Sequence, residues 1–136
     1  MTVYILDSSA VLRYIDNEPG AERMSAIFRA CVTGKAAMRI SALQWGEVAG
    51  GLRKRLGDPS ATRVIDSMMP VDLEVIPATA DCAVRAARLR LDRKISYADC
   101  FALDLTMGNP DHVLVTADYD FKPAADLARI EFLPLE

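Results

Sequence analysis

An unbroken apolar run near the start of the chain constrains the fold more than any other feature of the sequence. The four residues VYIL, at positions 3–6, are all β-prone and none is charged. A strand with one face in water alternates apolar and polar residues, whereas a continuous run suits a strand buried on both faces of a parallel sheet. The run closes on an acid, Asp7, and the later segment HVLVTAD closes in the same way on Asp118. The sequence therefore predicts a buried parallel sheet with acids at the ends of two strands.

Candidate strands alternate with candidate helices along the rest of the chain. The predicted strands are VYIL, AMRI, LEVIP, HVLVTAD and IEFLP. The predicted helices are AVLRYID, residues 21–32, ALQWGEVAGGLRKRL, TRVIDSMM, ADCAVRAARLRLDRK and ISYADCFALDLTMGNP. This alternation predicts the α/β class, as a single-domain α/β/α sandwich over residues 1–136 with a mainly parallel central sheet. Crossover connections place the C-terminal ends of the strands along one edge, where such sheets bind ligands.

Local signals predict where the helices begin. Ser8 or Ser9 can cap the first helix, while Ser41, Thr79 and Ser96 stand at the start of later ones.

Helical spacing also predicts which faces are buried. In the helix after Ser41, the predicted buried stripe is Trp45, Ala49, Leu52 and Leu56. In the helix after Thr79, the predicted apolar face is Ala83, Ala87 and Leu91.

Composition and charge bound the class of protein. The 136 residues are 51% hydrophobic and 26% charged, which argues against disorder. No apolar run approaches the roughly 20 residues that span a membrane, and the N-terminus lacks the basic stretch of a signal peptide. Three scattered cysteines without a CxxC pair predict reduced thiols, so we expect a cytoplasmic protein without membrane contact. The net charge of −3 argues against non-specific coating of nucleic acid, so any nucleic-acid role must be local to a site.

Four acids stand where this topology can bring them together, and each also has a structural explanation. Asp7 can cap the first helix, and Asp118 can be a turn residue. Asp99 follows Ser96 by three residues, the spacing of a capping box, although Glu or Gln is usual there. Glu47 can be a solvated surface residue, but two glycines share its helix face, which is unusual for such a surface.

Taken together, these acids favour a metal site. Two of them follow strand C-termini, and the other two lie on helices expected beside that edge. Carboxylates in one place raise one another's pKa values, and a fold tolerates this most easily when a cation neutralises them. Oxygen ligands without His or Cys favour Mg²⁺ or Mn²⁺ over Zn²⁺. The single histidine, His112, opens a strand and is expected to be structural.

Four segments in series resemble the PIN-domain ribonucleases, and most closely the VapC-type toxins of type II toxin–antitoxin systems. The segments are YILDSSAVL, ISALQWGEVAGGL, ISYADCFAL and VLVTADYDF. Their order and spacing, and the length of the chain, are similar to those of the family. The resemblance implies metal-dependent hydrolysis of RNA phosphodiester bonds by an acidic quartet, Asp7, Glu47, Asp99 and Asp118.

The resemblance also implies which residues hold the metal. Asp7 and Asp99 are expected to be the main Mg²⁺ or Mn²⁺ ligands, with Asp118 binding directly or through water. Asp120 is an alternative to Asp118, because the two acids are near neighbours in the sequence.

Other residues are expected to act around the metal. Glu47 is expected to orient the attacking water, to accept its proton or to hold a second ion. Thr116 and Ser8 are expected to support the site, Thr116 by hydrogen-bonding a carboxylate or a metal-bound water.

Basic residues near the acids are candidates for contacts with RNA phosphates. The segment RAARLRLDRK contains Arg88, Arg93 and Lys94 and leads directly into the segment with Asp99. A second cluster, at positions 53–55, ends the predicted helix that carries Glu47. Both clusters also have a structural explanation, because cations are favoured at helix C-termini.

The resemblance further implies three kinds of partner. One is the RNA substrate, which in this family can be initiator tRNA, another tRNA anticodon loop or ribosomal RNA. Another is a cognate antitoxin, a short protein whose C-terminal segment wraps the toxin and blocks its site. The third is a second copy of the chain, in a homodimer.

Two other classes remain open on the residues alone. One is another Mg²⁺-dependent phosphotransfer enzyme on a doubly wound sheet, such as a haloacid-dehalogenase-type phosphatase. That family has DxD after its first strand, whereas Ser8 and Ser9 follow Asp7 here. A receiver domain would need an acidic pair before its phosphorylated Asp and a late Lys, and neither is evident. The other class is a non-catalytic interaction module, against which the intact acidic quartet argues.

Overall fold

A parallel sheet forms the middle layer of the molecule. The computed structural model describes residues 1–68 and 72–136. The strands are β1 (Thr2–Leu6), β2 (Ala36–Ser41), β3 (Leu73–Ile76), β4 (His112–Thr116) and β5 (Ile130–Phe132). The five strands form one sheet in the order β3-β2-β1-β4-β5, and all neighbouring pairs are parallel. The predicted parallel sheet is therefore confirmed.

Helices cover both faces of this sheet. Within the described ranges they are α1 (Ser8–Ile15), α2 (Ala21–Val32), α3 (Ala42–Leu56), α4 (Asp58–Met68), α5 (Ala80–Arg93), α6 (Tyr97–Thr106) and a 3₁₀ helix (Tyr119–Ala124). One hydrophobic core joins the sheet to α1, α2, α3 and α4, and a second joins it to α5, α6 and the 3₁₀ helix. The predicted α/β/α sandwich is confirmed. None of these helices is long and apolar enough to cross a bilayer.

The central strand β1 is buried on both faces, as its unbroken apolar run predicts. Ile5 belongs to one core and Leu6 to the other, and both are 0% exposed. Side chains on both faces of β1 are removed from water, so this one strand contributes to both hydrophobic cores. Asp7 follows directly and is still buried, at 2% exposure.

Three helices begin at their predicted caps, whereas the starts of two others are corrected. The helix predicted to begin at Thr62 is α4, which begins at Asp58, and the last residue of that prediction, Met69, lies outside the described residues. The hydroxyls of Ser41, Thr79 and Ser96 each accept a backbone N–H three residues ahead, as N-caps do. The first helix, however, is capped by neither Ser8 nor Ser9, because both are already helical. Its N-cap is Asp7, whose backbone is extended and whose carboxylate accepts the N–H of Ser9.

The buried faces of two helices differ from the predicted ones. In α3 the buried residues are Gln44, Val48 and Leu52, whereas Leu56 is 47% exposed. The prediction counted only apolar residues, and Gln44 is buried through hydrogen bonds.

In α5 only Ala86 is buried and Leu91 is 83% exposed. The difference arises because α5 packs chiefly against α6 and therefore needs only a narrow inner face.

Candidate active site

The C-terminal edge of the sheet brings the four predicted acids into one region. Asp7 directly follows β1, and its N–H donates to the Val115 carbonyl of the neighbouring β4 at 3.0 Å. Asp118 lies two residues beyond the end of β4. The helix α3 starts at the end of β2 and carries Glu47, while the first turn of α6 carries Asp99. Each side chain is therefore placed by a strand end or by a helix that begins near that edge.

Hydroxyl groups hold the buried carboxylate of Asp7. Asp7 is 2% exposed, and its Oδ2 accepts hydrogen bonds from Thr116 Oγ1 at 2.8 Å and from Ser9 Oγ. The hydroxyl of Ser9 in turn accepts the N–H of Ala117 at 2.9 Å, so it ties the start of α1 to the end of β4. These bonds hold the Asp7 carboxylate in one orientation at the sheet edge.

Asp99 is held from another direction by Gln44 of α3. The Gln44 amide donates from Nε2 to Asp99 Oδ1 at 2.9 Å, and its Oε1 accepts the N–H of Ser8 at 2.9 Å. Gln44 is 0% exposed and Asp99 is 9% exposed. The backbone beside Asp7 and the carboxylate of Asp99 are therefore connected through one buried side chain.

The acids perturb one another electrostatically. Burial raises the pKa of Asp7 to about 6, and the negative charge of Asp99 adds to this shift. Burial also raises the pKa of Glu47, followed by the charges of Asp99 and Asp118. The pKa of Asp99 is raised by burial and then by Asp118 and Asp120. The four predicted acids thus lie within one electrostatic neighbourhood.

The donor set fits a hard divalent cation in its chemistry. All four acids supply oxygen, and burial together with neighbouring negative charge raises the pKa of Asp7, Glu47 and Asp99, an effect that a bound cation would oppose. In the two described parts of the chain, no three Asp, Glu, His or Cys side chains stand close enough to hold one ion. Mg²⁺ commonly uses only one or two protein carboxylates and keeps several waters, so a pair such as Asp7 and Asp99 is sufficient for it.

Two of the four acids, Asp7 and Asp118, also act as helix caps. Asp7 caps α1, and Asp118 caps the 3₁₀ helix by accepting the N–H of Asp120 at 2.9 Å. In α6 the cap is Ser96, which accepts the N–H of Asp99, while the Asp99 carboxylate points to Gln44. Capping leaves part of each carboxylate available, so it is compatible with a place in the site.

The remaining predicted site residues have varied surroundings. The influence of the Ser8 side chain lowers the pKa of Glu47 against the effect of burial. Glu47 and Asp120 are exposed, whereas Asp118 is half-buried. Asp118 raises the pKa of both Glu47 and Asp99, but Asp120 raises only that of Asp99. Asp118 is therefore the more central of the two neighbouring acids.

The basic residues predicted to contact RNA differ in their availability. Arg88 and Lys94 are exposed on α5 and at its C-terminal end. Arg93 is engaged by Asp126, with Nη1 at 2.6 Å from Oδ1, and it also donates to the carbonyl of Pro123. Arg93 therefore connects the C-terminal end of α5 to the 3₁₀ helix and to the residues that follow it.

Sequence reasoning missed two residues of the site, Gln44 and Ser9. The sequence predicts Ser9 only as a candidate helix cap, and it predicts no role for Gln44. A signal existed for Ser9, because it lies two residues after a strand-ending acid. The contacts of Gln44 are 36 and 55 positions away, and no local pattern reveals them.

Comparison with known proteins gives one family and several similar folds. The PIN domain family model matches residues 4–127. A comparison with curated protein sequences finds no match.

Three solved structures illustrate the similarity of fold. VapBC2 from Rickettsia felis, bound to a DNA fragment from its promoter, is 18% identical with a TM-score of 0.74, over 98% of this chain and 100% of that chain. DNA-bound VapBC from Salmonella typhimurium is 19% identical with a TM-score of 0.73, over 97% and 98% of the two chains. The sarcin-ricin loop cleaving toxin VapC20 from Mycobacterium tuberculosis is 18% identical with a TM-score of 0.68, over 96% and 99%.

Proposed function

The chain belongs to the PIN-domain family, and on this premise we propose that it is a metal-dependent endoribonuclease acting as the toxin of a toxin–antitoxin pair. The observation that carries the proposal is the mutual perturbation of the acids at the sheet edge. Asp7, Glu47 and Asp99 each have a pKa raised by burial and by another acid of the group. Such clustered carboxylates are typical of a site built for a cation and a phosphate.

In the proposed site, Asp7 and Asp99 are the main ligands for Mg²⁺ or Mn²⁺, with Asp118 contributing directly or through water. The bound ion would lower the pKa of a water molecule and offset the negative charge that develops on the scissile phosphate. Hydrogen bonds from Thr116 and Ser9 favour the charged form of Asp7 against the effect of burial and fix the orientation of its carboxylate.

Glu47 is the proposed proton acceptor for the attacking water. Glu47 is the exposed acid of the quartet, whereas Asp118 is half-buried. Solvent therefore reaches the Glu47 carboxylate. Its raised pKa brings it closer to neutral pH, where a carboxylate is a more effective general base. The Ser8 side chain, whose influence lowers the pKa of Glu47, is the residue proposed to orient this carboxylate.

RNA would be held by basic residues beyond the acidic site. Arg88 and Lys94 are exposed and are the proposed phosphate contacts. Arg93 can join them only by leaving Asp126. This arrangement is compatible with the net charge of −3, because the attraction to the polyanion is confined to the ion and to α5.

The proposed protein partners are a cognate antitoxin and a second copy of the chain. Support for the antitoxin comes from the similarity of fold to the VapBC proteins of Rickettsia felis and Salmonella typhimurium. In the proposed pair, a short antitoxin binds the toxin and blocks access to the acidic site.

An RNA-cleavage assay tests the enzymatic proposal. Purified protein incubated with total tRNA and ribosomal RNA should produce discrete fragments with Mg²⁺ or Mn²⁺, and EDTA should stop the reaction. Asp7→Asn and Asp99→Asn should each lower the rate by orders of magnitude. Asp104→Asn is the matched control, because Asp104 is also an acid of α6 but forms an ion pair with Arg85 and does not belong to the proposed site. Unchanged cleavage in both site variants would remove the proposed site.

A growth assay tests the toxin proposal separately. Expression of the chain alone should arrest a bacterial host, and Asp7→Ala should relieve the arrest at equal protein level. Coexpression of the protein encoded by a small neighbouring gene should also relieve it. A harmless wild-type chain in a host whose RNAs it cleaves in vitro would contradict the toxin role and leave the nuclease role intact.

A further inference from the structure

We propose that Gln44 is a positioning residue that fixes the Asp99 carboxylate relative to Asp7 in the proposed metal site. The inference rests on the proposed function for its catalytic consequence. Its geometric basis is a buried amide with both ends bonded, one to Asp99 and one to the backbone that follows Asp7.

Gln44 connects three parts of the fold, two through its side chain and one through its backbone N–H. Its Nε2 donates to Asp99 Oδ1 at 2.9 Å, at the start of α6. Its Oε1 accepts the N–H of Ser8 at 2.9 Å, where β1 passes into α1. Its own backbone N–H donates to Ser41 Oγ at 3.1 Å, where β2 passes into α3. These junctions are the ones that carry Asp7, Glu47 and Asp99.

The chemistry of the partners fixes the orientation of the amide. A backbone N–H can only donate and an ionised carboxylate can only accept, so the amide oxygen must face Ser8 and the nitrogen must face Asp99. Reversing the amide would place donor against donor and acceptor against acceptor. Gln44 therefore holds a single conformation, which is the property needed to fix the position of another side chain.

Packing alone does not explain why a glutamine occupies this buried position. Gln44 is 0% exposed, and a buried amide is favourable only when its polar atoms are hydrogen-bonded. A leucine or methionine would fill the same space without needing partners. The position is thus occupied by a residue whose distinguishing property is its pair of hydrogen bonds.

The need for such a residue follows from the charges around Asp99. Asp7, Asp118 and Asp120 all act electrostatically within this group of acids. Like charges at short range favour side-chain conformations that separate them. A neutral donor on Asp99 opposes that separation and adds no positive charge that would compete with a metal ion.

The experiment compares Gln44→Met with Ser41→Ala. Met has a similar length but makes neither hydrogen bond, whereas Ser41→Ala removes only the hydroxyl that receives the Gln44 backbone N–H. Three quantities are measured for each variant: the melting temperature in EDTA, the Mn²⁺ dissociation constant by calorimetry, and kcat and KM for a cleaved RNA.

Both variants should melt at a lower temperature than the wild type, but only Gln44→Met should affect the site. We expect its Mn²⁺ affinity and its kcat to fall by about 10- to 100-fold, the usual effect of losing a partner that orients a metal ligand. KM for RNA should stay unchanged, because Gln44 is buried and does not contact the substrate. If Mn²⁺ affinity and kcat in Gln44→Met stay within twofold of those in Ser41→Ala, Gln44 stabilises the fold but does not position Asp99 for the metal.

A second pair of variants leaves Gln44 in place. Ser8 is the first residue of α1, a position where proline is tolerated, and Ser8→Pro deletes the N–H that Gln44 accepts. Ser8→Ala loses the same hydroxyl but keeps this N–H. Weaker Mn²⁺ binding in Ser8→Pro than in Ser8→Ala supports the positioning role, and equal binding contradicts it. If the wild type cleaves no RNA, the proposed function fails, whereas the Mn²⁺ measurements still decide the role of Gln44.

Discussion

The hydroxyl of Thr116 donates a 2.8 Å hydrogen bond to Oδ2 of Asp7, although the two residues lie 109 positions apart. The same hydroxyl accepts the N–H of Asp118 at 2.9 Å. Thr116 is 0% exposed, so both bonds are protected from water. One side chain therefore connects the acid that ends β1 to the acid that follows β4.

Thr116→Val should weaken both the fold and the site. The substitution keeps the shape and removes a hydrogen bond to a charged group, so the free energy of unfolding should fall by roughly 1.5–3 kcal/mol. RNA cleavage should fall as well, because Asp7 loses an orienting partner. Urea denaturation and single-turnover cleavage measure the two effects.

Thr106→Val is the matched control for this change. Thr106 is equally buried, but its hydroxyl donates only to the carbonyl of Ala102 within α6. It should lose about 1 kcal/mol at most and keep its activity. Equal losses of activity in the two valine variants would contradict the role given to Thr116.

The metal-free protein should become more stable as the pH falls from 7 to 5. The pKa of Asp7 is raised to about 6 in the folded chain, above its usual value of 3.8. The folded state therefore binds this proton more tightly, and the stability gained at low pH is lost as the pH rises through about 6. The gain from Asp7 over this range should be about 1 kcal/mol.

Asp7→Asn should reduce that pH dependence without abolishing it. Glu47 and Asp99 also have raised pKa values and contribute in the same direction. Urea denaturation in EDTA at several pH values measures the slope for both proteins. A wild type that loses stability on acidification from pH 7 to 5 would contradict the raised pKa of Asp7.

Asp99→Asn should stabilise the metal-free protein. Asparagine keeps an oxygen that can accept the Gln44 amide, while the charge facing Asp7 and Asp118 is removed. We expect a gain on the order of 1 kcal/mol in EDTA, since one pKa unit corresponds to about 1.4 kcal/mol. If the Asp99 charge acted only on the dipole of α6, the substitution would give no gain, or a loss of up to roughly 1 kcal/mol.

Mn²⁺ should then stabilise the wild type more than Asp99→Asn. A ligand at about 100 times its dissociation constant adds roughly 2.7 kcal/mol, and removing a ligand carboxylate should remove much of this. Thermal melts of both proteins, with EDTA and with Mn²⁺, give the four values needed. A destabilised Asp99→Asn that responds to Mn²⁺ as the wild type does would mean that Asp99 is structural.

Arg88 should contribute more to RNA affinity than Arg93. Arg88 is exposed, whereas Arg93 is bonded to Asp126 at 2.6 Å. In an Asp7→Asn background, where RNA is not cleaved, Arg88→Gln should weaken binding and lower the salt slope by about 0.7, the value for one phosphate contact on a single strand. Asp126→Asn should free Arg93 and tighten binding. The opposite ranking of the two arginines would remove α5 from the proposed RNA surface.

The sheet and the location of the acids could be predicted because both depend on local patterns. The apolar run before Asp7 marks a buried strand, and the alternation of strands and helices gives a parallel sheet with its C-terminal edge at the acids. The capping serines and Thr79 could be predicted for the same reason, since a cap bonds a residue only three positions away.

What could not be predicted depends on contacts between distant residues. Gln44 is buried because Ser8 and Asp99 bond its amide, and its helical position alone favoured Trp45 as the buried residue. The exposure of Leu91 follows from the packing of α5 on α6, which no periodicity within α5 reveals. The sequence allows Asp7 to be a helix cap or a member of the acidic site. In the structure Asp7 caps α1 and also lies near the other acids.

The distance along the chain between Asp7 and Thr116 has a consequence for protein synthesis. Asp7 leaves the ribosome well before its neighbouring strand β4 and before the Thr116 hydroxyl that orients it, which lies 109 positions later in the chain. A nascent chain that stops before β4 lacks one side of the central strand and cannot hold Asp7 in place. We therefore expect the growing polypeptide to be harmless to the RNA around it until β4 has been synthesised.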